Sequence, residues 1–262
     1  MITDGTTRPT ARLAAGASAE LYPWREQQVV KLFKRGFPRE AIELELHHSR
    51  VAHLAGVPTP RPEGLVTLEG RTGIVLERCD GPTLYELIAA RARPPAELAR
   101  VFFELQQAIH RCTAPALEPI TARLARRLPQ ARGIPDEARR AAAAMLREAP
   151  ERNELCHGDF HPINVIVGTE RTVAIDWLDA ARGDPAIDVT RTLVYLRYSR
   201  PGAVDESYRA QFLEAYLEHC RAAWAGRMEE LVRWQLPVAV ARLAEPLEDG
   251  ERRQLLELVA SL

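Results

Sequence analysis

Between Cys156 and Trp177 the chain reads C-H-G-D-F-H-P-I-N-V-I-V, then the polar turn Gly168-Thr169-Glu170-Arg171, then T-V-A-I-D-W. Val165–Val167 and Val173–Ile175 are rich in β-branched residues and flank that turn, so the spacing predicts a β-hairpin. Asn164 then stands just before the first strand and Asp176 at the end of the second. Gly158 precedes Asp159, which suits a loop with unusual backbone angles. One short loop-and-hairpin segment therefore carries Asp159, Asn164 and Asp176.

These residue types point to a chemistry. A carboxylate free to accept a proton, with an amide and a second carboxylate to hold a divalent cation, is the polar set that kinase-type phosphoryl transfer uses. Asp159 and Asn164 keep the base-to-asparagine spacing of the kinase catalytic loop, with a second metal-binding aspartate on a following strand. Asp159 is thus expected to take the proton of a substrate hydroxyl. Asn164 and Asp176 are expected to hold Mg²⁺ against the phosphates of ATP. The plainer alternative is an Asx turn at Asp159 and an ordinary strand-end aspartate at Asp176. His157 and His161 form an H-x-x-x-H string, but the adjoining Gly158 and Pro162 break a helix and Mg²⁺ prefers oxygen ligands. His157 is read as a residue that fastens the loop. Asp188 falls in the first turns of a helix starting at Pro185. It could simply favour the positive helix end, or accept hydrogen bonds from the catalytic-loop backbone; the second role, structural support, is the expectation.

Two features upstream fit the same chemistry. Lys31 interrupts the apolar strand Val29-Val30-Lys31-Leu32-Phe33. If it faces inward it needs an anionic partner, because an unpaired buried charge is costly. Phosphate oxygens and a helix glutamate would serve, Glu45 being the choice and Glu43 the near alternative. If it faces outward it is a solvated lysine on an edge strand. The small residues Gly16-Ala17-Ser18-Ala19 lie between two strands. They could let backbone N–H groups approach phosphate oxygens at Gly16 and Ser18, or be no more than a tight turn.

The rest of the chain sets bounds. Its 262 residues allow one large domain or two lobes around a cleft, and the formal net charge of −1 gives no electrostatic reason to expect nucleic acid. No apolar run approaches the ~18 residues of a membrane span. Met1–Arg8 has no apolar h-region, which predicts a cytoplasmic protein without a signal peptide. Cys79, Cys112, Cys156 and Cys220 are far apart and fit reduced thiols. Strands are expected at Thr10–Ala15, Glu20–Trp24, Gln28–Phe33, Gly64–Leu68 and Arg71–Glu77, with one helix from Pro38 to about Leu54. Helices dominate from Thr83, whose pairing with Glu86 predicts a capping box; one of them is expected over Met228–Leu243. The lobe boundary is placed at Asp80–Pro82, giving residues 1–80 and 81–262.

H-G-D-F-H-P-I-N, I-D-W and G-D-P-A-I-D-V together resemble the aminoglycoside phosphotransferase/choline kinase-like superfamily. The A-G-A-S-A-E-L-Y loop, the V-V-K-L-F strand and V-L-E-R-C-D-G-P-T-L extend the likeness over nearly the whole chain. The resemblance implies an α+β, protein-kinase-like fold: an N-terminal antiparallel sheet with one helix, and a larger, mainly helical C-terminal lobe. It implies that Lys31 pairs with Glu45 and binds phosphate, that Glu77–Cys79 form an adenine-binding hinge, and that a small-molecule hydroxyl is the acceptor. A monomer or weak homodimer is expected. Aminoglycoside-type acceptors are polycations and would need carboxylates beside the base, for which Asp179, Asp184, Glu245, Glu248 and Asp249 are candidates. Arg182, Arg197 and Arg242 would offset some of that charge. Another metabolite alcohol, a peptide natural-product precursor, or a nucleotide-binding pseudokinase remain as alternatives.

Overall fold

The computed structural model describes residues 11–200, 202 and 204–262. The expectation for Met1–Arg8 and the first residue of the strand expected over Thr10–Ala15 fall outside them; of the rest of that strand only Ala14–Ala15 forms. The first part is an antiparallel sheet of β1 (Ala14–Ala15), β2 (Ala19–Pro23), β3 (Gln28–Phe33), β4 (Pro62–Leu68) and β5 (Arg71–Glu77). The strand order is β1-β2-β3-β5-β4, so β3 is interior and Lys31 is not on an edge. Side chains alternate across a strand. Val30 and Leu32 pack with Trp24, Val66, Leu68 and Val75 on one face. Phe33 and Ile74 pack on the other face with Ile42 and Leu46 of α1 (Arg39–Leu54). Lys31 shares the parity of Phe33, which turns it toward α1.

The second part is mainly helical, with one extended core. Its elements are α2 (Leu84–Ala89), α3 (Pro95–His110), α4 (Ile120–Arg127), α5 (Asp136–Arg147), β6 (Glu154–Cys156), β7 (Val165–Val167), β8 (Thr172–Ala174), β9 (Ala181–Gly183), α6 (Pro185–Tyr198), α7 (Glu206–Ala223), α8 (Met228–Arg233), α9 (Gln235–Arg242) and α10 (Asp249–Ser261). The α2 cap forms as expected: the Thr83 hydroxyl accepts from the Glu86 amide at 3.1 Å and the Glu86 carboxylate accepts from the Thr83 amide at 2.7 Å. β7 and β8 form the expected hairpin, the second strand starting one residue early. β6 and β9 pair into a second short ribbon beside the segment that carries Asp159. The single helix expected over Met228–Leu243 is two. Pro237 lacks an N–H, and its ring opposes the carbonyl four residues back at Arg233, where α8 ends. Under the loop at Asp159, Phe160 stacks on Phe102 of α3 with ring centroids 4.4 Å apart.

Candidate active site

Lys31 joins the two parts of the molecule. Its Nζ lies 2.6 Å from Glu45 Oε1 and 3.3 Å from Asp176 Oδ2. Glu43, the near alternative, instead pairs with Arg39 at 2.8 Å on the exposed side of α1. Burial opposes the Lys31 charge, but Asp176 and Glu45 outweigh it and hold the ammonium above its ordinary value. Burial pushes the Glu45 carboxyl up to about 7, against the pull of Lys31.

The hairpin sets Asn164 opposite the residue before Asp176: the Ile175 amide donates to the Asn164 carbonyl at 3.0 Å. Asp176 itself has φ +66, a conformation that aspartate tolerates better than most residues, and its side chain stays 41% exposed. The Asn164 Nδ2 donates to the Asp159 carbonyl at 3.0 Å, which commits the amide nitrogen and leaves its oxygen for a ligand. Among the described residues no three His, Cys, Asp or Glu side chains converge as a protein-only metal cage. An amide and one carboxylate fit a Mg²⁺ ion that completes its shell with phosphate oxygens and water.

The loop carrying Asp159 is tied down from beneath. Asp188 accepts from the Gly158 amide at 2.8 Å, from the His157 amide at 3.2 Å and pairs with His110 Nε2 at 2.8 Å. Burial works against the Asp188 charge, yet His110, His157 and the Gly158 amide hold its pKa below the ordinary value. His157 Nε2 meets the Ile175 carbonyl at 3.0 Å and its Nδ1 accepts from the Asp159 amide at 3.3 Å, so both ring nitrogens are occupied within the loop. Gly158 has φ +78, and a Cβ there would come within 2.0 Å of the Asp179 carbonyl oxygen. Only glycine fits.

Asp159 pairs on one side with Arg191 Nη2 at 3.0 Å and on the other with His161 Nε2 at 3.2 Å. Burial raises its pKa, but His161 and Arg191 overcome that and keep the carboxyl well below the ordinary range. Arg191, on α6, also lies 2.8 Å from Glu245 Oε1 in an ionic contact that does not follow an N–H direction. His161 stacks on Tyr195, centroids 4.2 Å apart.

The remaining expected residues are less closely joined to this centre. Gly16 and Ser18 occupy an exposed β1–β2 turn in which the Gly16 amide donates to the Ala19 carbonyl at 2.8 Å. At the segment joining the two parts, the Glu77 amide donates to the Arg61 carbonyl and the Arg78 amide to the Gln27 carbonyl, each at 2.9 Å. The Glu77 carboxylate pairs with Arg171 at 2.6 Å, and the same guanidinium lies 3.6 Å from Cys79 Sγ. Asp179 pairs with Arg123 at 2.8 Å and Arg127 at 2.7 Å, and Glu245 with Arg127 at 2.6 Å. Arg242 pairs with Glu245 and, at 2.9 Å, with Glu251. Of the expected offsetting arginines only Arg242 does so. Arg182 donates to the carbonyls of Leu117 and Arg152 instead, and Asp184 caps α6 through the Ala186 amide. Sequence reasoning missed Arg123, Arg127, Arg191 and His110. The one available signal for Arg191 was its place in α6 three residues, about one turn, beyond Asp188.

Residues 10–229 match the family model described as "Phosphotransferase enzyme family" (APH). The chain belongs to that family. It is an ATP-dependent phosphotransferase with a protein-kinase-like fold. A sequence search of curated proteins finds no match for this phosphotransferase. Similar solved structures include a thermostable mutant of aminoglycoside phosphotransferase APH(4)-Ia in ternary complex with AMP-PNP and hygromycin B, at 16% identity and TM-score 0.66 over 96% of this chain and 91% of that one. An amicoumacin kinase in complex with AMP-PNP, Ca²⁺ and Ami gives 15% and 0.59 over 95% and 86%. The ADP-bound APH(2'')-Ib gives 18% and 0.56 over 95% and 90%.

Proposed function

We propose that this phosphotransferase moves the γ-phosphate of ATP to a hydroxyl of a small-molecule acceptor, an antibiotic or another metabolite alcohol, in a cleft between lobes 1–80 and 81–262. The observation that carries this reading is Lys31, which reaches across from the sheet to touch both Glu45 and Asp176. Such a lysine positions nucleotide phosphates as a point charge. Asn164 and Asp176 hold Mg²⁺, which when bound offsets the negative charge of the phosphates. The backbone at Gly16 and Ser18 faces the phosphates. Because the Glu77 and Arg78 amides are already used, the Cys79 amide is the hinge N–H left to meet the purine edge.

Asp159 aims the acceptor hydroxyl. Its carboxyl is held ionised by Arg191 and His161, so it is a weak proton acceptor in the ground state. That suits a loose phosphoryl-transfer transition state, in which the nucleophile needs alignment more than early deprotonation. The four thiols are free, which supports a reducing, cytoplasmic setting. Among the described residues no helix is long and apolar enough to cross a membrane.

The test is ADP release across a panel of hydroxylated antibiotics and metabolite alcohols, with the phosphorylated product identified by mass spectrometry. The reading predicts a mass gain of one phosphate on at least one acceptor, lost in Asp176→Ala. Nucleotide binding without transfer to any alcohol would favour a binding module instead.

A further inference from the structure

Every carboxylate joined to Asp159 through a guanidinium has an arginine of its own. Asp159 faces Arg191; Asp179 faces Arg123 and Arg127; Glu245 faces Arg127, Arg191 and Arg242; Glu251 faces Arg242. Glu118 joins the same lattice through Arg123 and brings Arg126 with it, so five carboxylates meet five guanidiniums. Its centre is buried: the Arg191 side chain is 6% exposed and that of Glu245 15%. An ammonium group arriving from solvent would have to displace a guanidinium that the chain itself holds in place. Within the lattice itself the charges are already matched, so it offers no spare carboxylate to draw the ammonium in.

Two acidic residues remain, Glu248 and Asp249. They are exposed at the start of α10, where the positive helix end already faces them.

A second surface beside the loop has no acidic residue in its walls, and the one glutamate next to it, Glu206, is paired with Arg209 at 2.7 Å and lies 3.7 Å from Arg200. Next to Pro162 and Tyr195 lies a pocket open to solvent, walled also by Tyr85, Ile88, Val204 and Phe212. Its charged lining residues among those described are Arg200 and Arg209. Tyr195 is the ring that stacks on His161, the partner of Asp159. Apolar walls that share a side chain with the flank of the base suit the body of an acceptor whose hydroxyl reaches Asp159.

Resting on the reading of Asp159 as the residue that aims the acceptor, we infer that this site takes an uncharged hydroxyl compound with an apolar face, and that the arginine–carboxylate lattice excludes polycations. The transfer itself is unchanged: the acceptor oxygen bonds to the γ-phosphorus, the bond from phosphorus to the bridging oxygen breaks, ADP leaves, and the hydroxyl proton passes through Asp159.

The test is calorimetric titration at low ionic strength. Mg·AMP-PNP is titrated first, so that failure of the kinase reading appears as loss of nucleotide binding, independent of acceptor chemistry. Hygromycin B, spermine and a panel of uncharged aryl and alkyl glycosides are then titrated into the nucleotide complex. The wild type is expected to bind the best glycoside more tightly than either polycation. Arg127→Gln, which takes one guanidinium from each of Asp179 and Glu245 and leaves the lattice one positive charge short, is expected to gain about tenfold or more in polycation affinity, a gain erased by salt. Tighter or equal binding of a polycation by the wild type, undetectable binding of both classes included, would overturn the inference. So would a polycation affinity that Arg127→Gln leaves unchanged.

Discussion

Lys31 and Arg191 carry opposite faces of the site, and each is best understood by what its removal strands. Lys31→Met leaves Glu45 buried without its cation and takes the point charge from the phosphates. We expect kcat/KM for ATP to fall about 10²–10³-fold, the scale seen when one charge-stabilising group is lost. The double variant Lys31→Met/Glu45→Gln should be more stable than Lys31→Met alone, because the stranded carboxylate is gone. A double-mutant cycle in urea reads this, and equal stabilities would show that the pair is not coupled. Arg191 acts through Asp159 and is a positioning residue. With Arg191→Gln the acid limb of the pH–rate profile should move up, since one of the charges that keeps the Asp159 carboxyl low is lost. An unmoved limb with normal KM for ATP would assign Arg191 to packing alone.

At the scale of elements, the loop carrying Asp159 owes its shape to α6 beneath it. Asp188→Ala would leave the His157 and Gly158 amides and His110 without their acceptor in a buried place. The expected cost is about 3–5 kcal/mol in urea unfolding; a loss under about 1 kcal/mol would mean that the loop is held by other contacts. Gly158→Ala should be at least as damaging, because a Cβ and the Asp179 carbonyl cannot share the same space. Much of this was legible in the sequence. β-branched runs around a polar turn give a hairpin, and a lysine in an apolar strand announces a partner. The sequence left open whether Lys31 faced in or out; the interior position of β3 decides it. Other parts had no local signal. β6 and β9 are three residues each, too short to show a period. Arg123 and Arg127 sit on a helix, where an arginine bound to a carboxylate far along the chain looks the same as one facing water. Asp179 and Glu245 were legible as neighbours of the base, but the guanidiniums that neutralise them were not.

Across the whole molecule, the ionic lattice and the buried histidines together set the response to pH. His48 and His157 are buried, which lowers their pKa values from the ordinary 6.5. A depressed histidine binds fewer protons folded than unfolded, so stability should fall as pH drops through about 6.5. Asp159, Asp179, Asp188 and Glu245 are all held below their ordinary values despite burial. Their contribution is complete above about pH 4.5 and is lost as pH falls further, toward their folded pKa values. Glu45, pushed up to about 7, works the other way and gains stability as pH falls from 7 toward 4.5, which opposes the histidines. The thermal midpoint should therefore change little from pH 7 to 5 and fall steeply below about 4; a midpoint flat from pH 8 to 3.5 would contradict it. The claim on which the rest depends is that Asp159 aims a hydroxyl at phosphate held by Lys31 and by the Mg²⁺ that Asn164 and Asp176 would bind. It is tested most directly by comparing single-turnover phosphate transfer and Mg·AMP-PNP affinity in wild type and Asp159→Asn. The account predicts transfer slowed by ~10²–10⁴-fold with nucleotide affinity unchanged. Near-normal transfer by a folded Asp159→Asn protein would contradict it.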